Sequence, residues 1–318
     1  MTTQTVETPV ATRPKRPVRP RVVRALISAA IIIPVLWAAL GLEVSWEQIR
    51  TAPSDMWDIL KQMFPPDFSP EAIQRALPKI MESLWIAWLG TIMGAFFSFF
   101  LAFAAATNVA PPWMTAIVRQ VLNAIRAVPE LLVAMALIPV TGLGAWTGTL
   151  ALGIHSIGTL GKLSSEVVEG SDAGPVEAIS SSGGTRLQEI RFGIVPQVMP
   201  NIVAYWLYRF EINIRASAVL GVIGAGGIGS EILAQLRFRD FARAGTVLFL
   251  TIAVVLSIDM ISARLRRRII TGHAEAGPIA NFRKMRSWQR VLAIVAALAI
   301  LAFTFFILYQ FQRAQVAG

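Results

Sequence analysis

Long apolar stretches separated by short polar segments dominate this chain. Seven of them approach the roughly 20 residues that a helix needs to cross the hydrocarbon core of a bilayer. They lie at residues 25–42, 84–106, 116–139, 146–163, 198–222, 244–263 and 291–311. The pattern predicts an all-α integral membrane protein with about seven transmembrane helices.

The polar segments set the expected domain organisation. Arginines, lysines and prolines crowd the N-terminus and predict a disordered cytoplasmic tail close to anionic lipid headgroups. The positive-inside rule then orients the remaining spans. Five regions follow: a tail at 1–24, a first span and external interfacial segment at 25–82, a membrane core at 83–264 with a cytoplasmic loop at 167–197, a basic cytoplasmic linker at 265–290, and a last span with its tail at 291–318.

Composition agrees with a membrane protein. Of the 318 residues 55% are hydrophobic and 15% are charged, and the mean hydropathy is +0.59, whereas soluble domains carry about 25% charged residues. The net charge of +10 comes from basic residues beside apolar spans, so we expect no nucleic-acid partner. The absence of cysteine excludes disulfides and thiolate metal sites, and we expect no metal site. A cleaved signal peptide is the alternative for the first span, but no clean small-x-small site follows it.

The loop at 167–197 contains the clearest helix boundaries. Asp172 can cap a short helix, and Gly183-Gly184 should end it. Thr185 and Gln188 have the capping-box spacing, so a second helix is expected to start at once. We expect that helix to place three apolar side chains on one face: Leu187, Ile190 and Ile194.

This loop resembles the cytoplasmic signature of the membrane-spanning subunits of binding-protein-dependent ABC importers. That signature runs Glu-Ala-Ala, three residues, Gly, nine residues and Ile-x-Leu-Pro, and four residues are in register with it: Glu177, Ala178, Gly183 and Pro196. The departures are mild: Ile179 replaces the second Ala, Gly193 replaces Ile and Val195 replaces Leu. The stretches at 155–162, 209–217 and 224–229 look most like the phosphonate permeases.

The resemblance implies a fold and a function. The fold would be the five-helix core of a type I ABC importer, with the first and last helices as peripheral additions, in the bacterial inner membrane. The chain would be a permease subunit for phosphonate or a related phosphorus oxyanion, not an enzyme, and would carry no cofactor. The resemblance assigns coupling to a separate ATPase to Glu177, Ala178, Gly183, Gly184 and Pro196.

The same resemblance implies the partners. They are a second copy of the chain, two cytoplasmic ABC ATPase subunits that hydrolyse MgATP, an external solute-binding protein and membrane lipid. Import of methionine or another small solute is the alternative within this class, since neither the loop nor the glycine run encodes the solute. An intramembrane enzyme or a lipid-handling scaffold is the alternative of a different class.

Polar residues inside the predicted spans are candidates for a translocation path, because an ionisable group in hydrocarbon is costly unless it is paired or hydrated. Arg209 lies mid-span without an acidic neighbour one turn away, so it needs Glu130, Glu166 or an anionic substrate. The candidates for a path or gate are His155, Thr159, Arg209, Asn213, Arg215, Gly224, Gly226, Gly227 and Gly229. The candidates for structural ion pairs are Arg126 with Glu130, Lys162 with Glu166, and Glu211 with Arg215, which also stays a path candidate.

Two glycine motifs need a separate interpretation. The run at 224–229 satisfies the dinucleotide fingerprint, but an apolar span precedes it where that fingerprint needs a strand. Gly161-Lys162 lacks the Ser or Thr of a phosphate-binding loop, so no ATPase is expected in this chain. The glycine run remains open between a simple helix-ending turn and a flexible gate.

Overall fold

The computed structural model describes residues 19–41 and 46–272, and these ranges are helical with short connections. The helices are α1 (Arg19–Gly41), α2 (Trp46–Met63), α3 (Pro70–Ala105), α4 (Pro112–Ala127), α5 (Glu130–Thr141), α6 (Ala145–Glu169), α7 (Ala173–Ser181), α8 (Arg186–Gln188), α9 (Val195–Val222), α10 (Ile228–Arg237) and α11 (Phe241–Gly272). A π-helical turn, Glu189–Ile194, joins α8 to α9. The predicted last span, most of the basic linker and most of the N-terminal tail lie outside the described residues.

The chain divides into two compact units, residues 1–60 and residues 61–318. The first unit holds α1 and most of α2. Along α1 large apolar side chains such as Ile33 and Trp37 are exposed, as a helix in contact with lipid would have them. α1 begins at Arg19, inside the segment for which the sequence predicts a disordered tail.

The second predicted span is part of a much longer helix. α3 has 36 residues and begins at Pro70 rather than near Leu84. The Ser69 side chain accepts a hydrogen bond from the Ala72 amide (3.3 Å), which caps the helix there. Pro65 and Pro66 lie in the connection between α2 and α3.

The third predicted span is not one continuous helix. α4 and α5 meet at an angle of 88°. Pro129 has no amide hydrogen to donate, and the residue before a proline avoids helical geometry. Val128 is accordingly extended, with φ −92° and ψ 120°. We call Val128 and Pro129 the helix break.

α3, α6 and α9 form the centre of the second unit, with α4, α5 and α11 packed around them. α3 and α6 run parallel and in register, because Gly90 lies against Leu152 and Gly94 against Ser156. A Cβ atom added to Gly94 would lie 2.3 Å from the Ser156 Cβ. Glycine at these positions therefore lets the two helices approach closely. A central apolar cluster includes Ile86, Leu152 and Leu220.

Among the described helices, Pro70–Ala105 and Phe241–Ile270 are long and apolar enough to cross a membrane, and α4 with α5 would make a third span if counted as one. α6 and α9 are long enough but carry charged residues such as Lys162 and Arg209. The total of seven spans stays a prediction.

Replacing Gly94 with Ala should destabilise the protein. Its new methyl group would collide with Ser156 Cβ, which cannot rotate away, and such overpacking costs about 1–3 kcal/mol. Thermal unfolding in detergent measures the effect. Gly41→Ala in α1 is the control, because no atom lies within 4 Å of its added Cβ. Equal unfolding temperatures for the two variants would contradict the close α3–α6 packing.

Candidate functional site

The polar loop folds as two short helices joined by a glycine turn, as its sequence predicts. Asp172 caps α7 by accepting a hydrogen bond from the Gly174 amide (3.0 Å). Gly183 has φ +79°, a conformation that favours glycine. A Cβ atom on Gly184 would lie 2.8 Å from the Ile179 carbonyl oxygen, so the chain reverses without room for a side chain.

The second half of the loop departs from a regular helix. The capping box is present, and the Thr185 amide donates to Gln188 Oε1 (2.7 Å). α8 then gives way to the π-helical turn, whose wider turn changes the direction of the side chains. Ile194 is buried, but Leu187 is 74% exposed. The predicted shared face of Leu187 and Ile194 is therefore wrong.

The loop packs against the membrane core on one side only. Val168, Ile194 and Val198 form an apolar cluster with Ala106 at the end of α3. α7 has no fully buried residue, and Glu177, Ala178 and Gly183 are exposed. Gly184 and Pro196 are half-buried, Pro196 in the first turn of α9. The loop is therefore packed against the core on one side, and α7 is accessible on the other side.

Gln197 holds the loop to the start of α9. Its Oε1 accepts from the Asp172 amide (2.9 Å), and its Nε2 donates to the Gly193 carbonyl (2.7 Å). Gly193 is also where α7 approaches most closely, since a Cβ atom there would lie 3.3 Å from Val176 Cα. These contacts fix α7 relative to the start of α9.

A second set of polar contacts ties the same loop to α3 and α4, and we call it the inner-end cluster: Thr107, Asn108, Arg119 and Glu169. Glu169 accepts from the Thr107 amide (2.7 Å), from its hydroxyl (2.6 Å) and from Arg119. Asn108 donates to the Val168 carbonyl (2.9 Å) and accepts from Arg186 in the loop. Burial tends to raise the pKa of Glu169, but the Thr107 hydrogen bonds and the Arg119 charge outweigh it, so this pKa lies below its ordinary value.

Arg209 lies in a buried polar core cluster with Asn213, Ser156 and Thr91. Arg209 Nε donates to the Ser156 hydroxyl (2.9 Å), and Asn213 Nδ2 donates to Ser156 (3.1 Å) and Thr91 (2.9 Å). The four residues come from α3, α6 and α9 and all are buried. The cluster joins the three central helices at one point.

Two polar atoms of this cluster have no hydrogen-bond partner among the described residues: Arg209 Nη2 and Asn213 Oδ1. The amide orientation follows from Thr91, whose hydroxyl donates to the Ala87 carbonyl (2.6 Å) and so must accept from Asn213. A buried donor and a buried acceptor without partners are each costly, and they call for a further polar group.

His155 and Glu130 meet at the helix break. His155 Nε2 lies 3.6 Å from Glu130 Oε2, and its Nδ1 lies 3.2 Å from the Val128 carbonyl oxygen. Arg126 packs its aliphatic stem near Gly158 of α6, one turn from His155. Among the described residues Arg126 has no ion pair, and Glu130 contacts His155 instead.

The other predicted charge pairs are only partly as expected. Lys162 and Glu166 are 3.2 Å apart on α6, and Thr159 donates to the His155 carbonyl (3.2 Å). The predicted Glu211–Arg215 pair is wrong. α11 supplies better-placed partners: Glu211 pairs with Arg266, and Arg215 pairs with Asp259 at 2.9 Å.

The glycine run forms a tight turn between α9 and α10. Gly224, Gly226 and Gly227 all have positive φ, between +75° and +91°. The Ser83 hydroxyl accepts from the Ile228 amide (2.8 Å) at the start of α10. A Cβ atom on Gly229 would lie 1.8 Å from the Ala218 carbonyl oxygen. This geometry accounts for the glycines as a turn, and a role as a gate stays a prediction.

Several polar residues of the site escaped sequence reasoning. Glu169 follows Glu166 by three residues on α6, so the helical spacing of Lys162 and Glu166, continued by one turn, points to it. Ser156 and Thr91 carry no such signal, because single hydroxyls are common in apolar helices. Among the described residues no three His, Cys, Asp or Glu side chains come together as a metal site.

In the described part of the chain, a core of apolar helices carries an exposed helix, α7, directly after α6, which is typical of the membrane-spanning subunit of a transporter. Comparison with known families agrees. The chain belongs to the family of binding-protein-dependent transport system inner membrane components, whose model matches residues 89–271. It is therefore a multi-pass permease subunit of an importer.

Two relatives and one solved structure extend this result. The phosphite transport system permease protein PtxC of Stutzerimonas stutzeri is 38% identical, over 77% of this chain and 89% of its own length. The phosphate-import permease protein PhnE of Mycolicibacterium smegmatis is 37% identical, over 70% of this chain and 42% of its own length. The MetNI methionine ABC transporter shares the fold, with a TM-score of 0.56, 18% identity and coverage of 64% of this chain and 99% of that one.

Replacing Glu169 with Gln should loosen the inner-end cluster. Loss of the charge should cost about 1 kcal/mol at neutral pH, because the group is partly exposed. The lowered pKa means that the carboxylate stabilises the fold fully above its ordinary value of 4.5 and loses this effect as the pH falls through the lowered value. Unfolding temperatures of the two proteins should differ at pH 7 and converge in acid. A constant difference at all pH values would contradict this assignment.

Proposed function

We propose that this chain imports a small phosphorus oxyanion, phosphite or a phosphonate, as the permease subunit of an ABC importer. The relatives described above handle phosphite and phosphate, so a tetrahedral phosphorus oxyanion is the chemistry they share. The methionine transporter shares only the fold at 18% identity and says nothing about the solute.

One observation supports the coupling role most directly: α7 exposes Glu177 and Ala178 while its Val176 packs against the apolar cluster of Val168, Ile194 and Val198. Glu177 and Ala178 lie on this helix, and Gly183 and Gly184 form the turn after it. We assign this surface to a cytoplasmic ATPase subunit that hydrolyses MgATP. Pro196, at the start of α9, passes movement of the loop to a membrane helix.

The remaining partners follow from this assignment. Two copies of the chain would enclose one path, since each chain carries one coupling loop. Two ATPase subunits would bind the two loops, and a solute-binding protein would deliver the anion at the opposite face, near the glycine run at 224–229. The N-terminus would lie in the cytoplasm together with the loop at 167–197.

The experiment is uptake of labelled phosphite into proteoliposomes that contain the permease, its ATPase and its binding protein. We expect uptake that requires the binding protein outside and MgATP inside the vesicles. Phosphonate should compete for this uptake, whereas methionine should not. Competition by methionine with no competition by phosphonate would overturn the assignment of the solute.

A matched pair of loop variants tests the coupling. Gly183→Val forces a β-branched residue into a positive-φ turn and should distort α7, reducing uptake at least about tenfold at equal protein levels. Gly170→Ala is the control, since its φ is −81° and the nearest atom to an added Cβ is 3.5 Å away. Equal uptake by both variants would remove the loop from the coupling role.

A further inference from the structure

The charges of the core helices do not balance at the helix break. Four acidic side chains on α6, α9 and α11 each have their own cation: Glu166 with Lys162, Glu169 with Arg119, Glu211 with Arg266 and Asp259 with Arg215. Glu130 is left to balance two arginines, Arg126 and Arg209. Among the described residues neither of these arginines lies within ion-pair distance of any carboxylate.

His155 and Arg209 lie deep within the predicted spans. His155 is in the middle of α6 and Arg209 in the middle of α9. At 1.5 Å of rise per residue each lies roughly 15–20 Å from the end of its helix, near the bilayer centre. Arg209 is only 5% exposed, and no described residue forms a hydrogen bond with its Nη2. A buried, unpaired cation at this depth is expensive, so a compensating anion is needed.

The helix break is also accessible. Arg126, Val128 and Pro129 are exposed, and the Glu130 side chain is 35% exposed. Charged groups at this depth do not face hydrocarbon, so this surface faces water or protein. A break in a membrane helix at the bilayer centre leaves backbone groups without helical hydrogen bonds, and these groups can bind ions. α5 starts directly after the helix break, at Glu130.

We infer that the helix break is an oxyanion site in the translocation path. Arg126 and His155 contact the anion. Arg209, held in the polar core cluster, adds positive charge without contacting the anion. This inference rests on the proposed function and locates its substrate site. Arg126 offers the paired donors that suit two oxygens of a phosphorus oxyanion.

Glu130 has a distinct role at this site. Its carboxylate lies 3.6 Å from His155 Nε2, where an anionic substrate would bind. The substrate and Glu130 therefore compete for the same cations. Removing the Glu130 charge should strengthen anion binding, whereas removing the Arg126 charge should weaken it. A purely structural ion pair predicts no such opposite effects.

The test measures phosphite binding to the permease–ATPase complex without the binding protein, in maltoside micelles, by phosphorus NMR line broadening. We expect weak binding by the wild type, about tenfold tighter binding by Glu130→Gln and about tenfold weaker binding by Arg126→Gln. Lys162→Gln is the control. Lys162 lies on the same face of α6 as His155, but its charge is paired with Glu166. Its affinity should equal that of the wild type. Equal unfolding temperatures show that all variants are folded.

Three results would overturn the inference: no binding by the folded wild type, equal affinity in all variants, or weaker binding by both Glu130→Gln and Arg126→Gln. A further arm adds short-chain phosphatidylglycerol. Displacement of phosphite by that lipid would assign the site to lipid headgroups and also overturn it. If one of these results is found while ATP-driven uptake of phosphite is intact, the inference fails and the proposed function is retained.

Discussion

The close approach of α3 and α6 is the constraint on which the rest of the core depends. Glycines at 90, 94 and 153 bring the two backbones together, and the helices stay in register down to Thr107 and Glu169. Because α3 and α6 run in the same direction, α4 and α5 must carry the chain back from the end of α3 to the start of α6. The helix break is therefore placed beside His155, and the inner-end cluster forms where the loop begins.

The same approach determines the polar interior. Ser156 lies against Gly94, so its hydroxyl is fixed between α3 and α9 and accepts from both Arg209 and Asn213. Polar residues thus join the three central helices, where apolar packing alone would not distinguish one register from another. Such a junction carries an energetic cost, since Arg209 Nη2 and Asn213 Oδ1 have no hydrogen-bond partner among the described residues.

Much of this could be predicted from the sequence, and the limits have physical causes. The loop helices, their caps and the glycine turn follow from local signals such as Asp172 and Gly183, and the structure has them. The family resemblance is confirmed by the match over residues 89–271. The bend at Pro129 could have been expected from the proline, but its 88° angle depends on how α5 packs against α6.

Other features depended on contacts that a single sequence does not contain. Glu211 was assigned to Arg215 because they are one turn apart, yet α11 brings Arg266 and Asp259 closer to each of them. The π-helical turn, which exposes Leu187, arises where the loop must fit both Val176 and α9. Long-range packing overrides helical spacing in both cases.

The proposed function requires that the loop at 167–197 and the glycine run at 224–229 lie on opposite faces of a membrane. The chain has no cysteine, so single variants report cleanly. Ser182 lies in the exposed loop, and Phe238, in the turn after α10, is 82% exposed. With a membrane-impermeant maleimide, Ser182→Cys should be labelled only in inverted vesicles and Phe238→Cys only in right-side-out vesicles. Labelling of both positions from the same side would contradict the account.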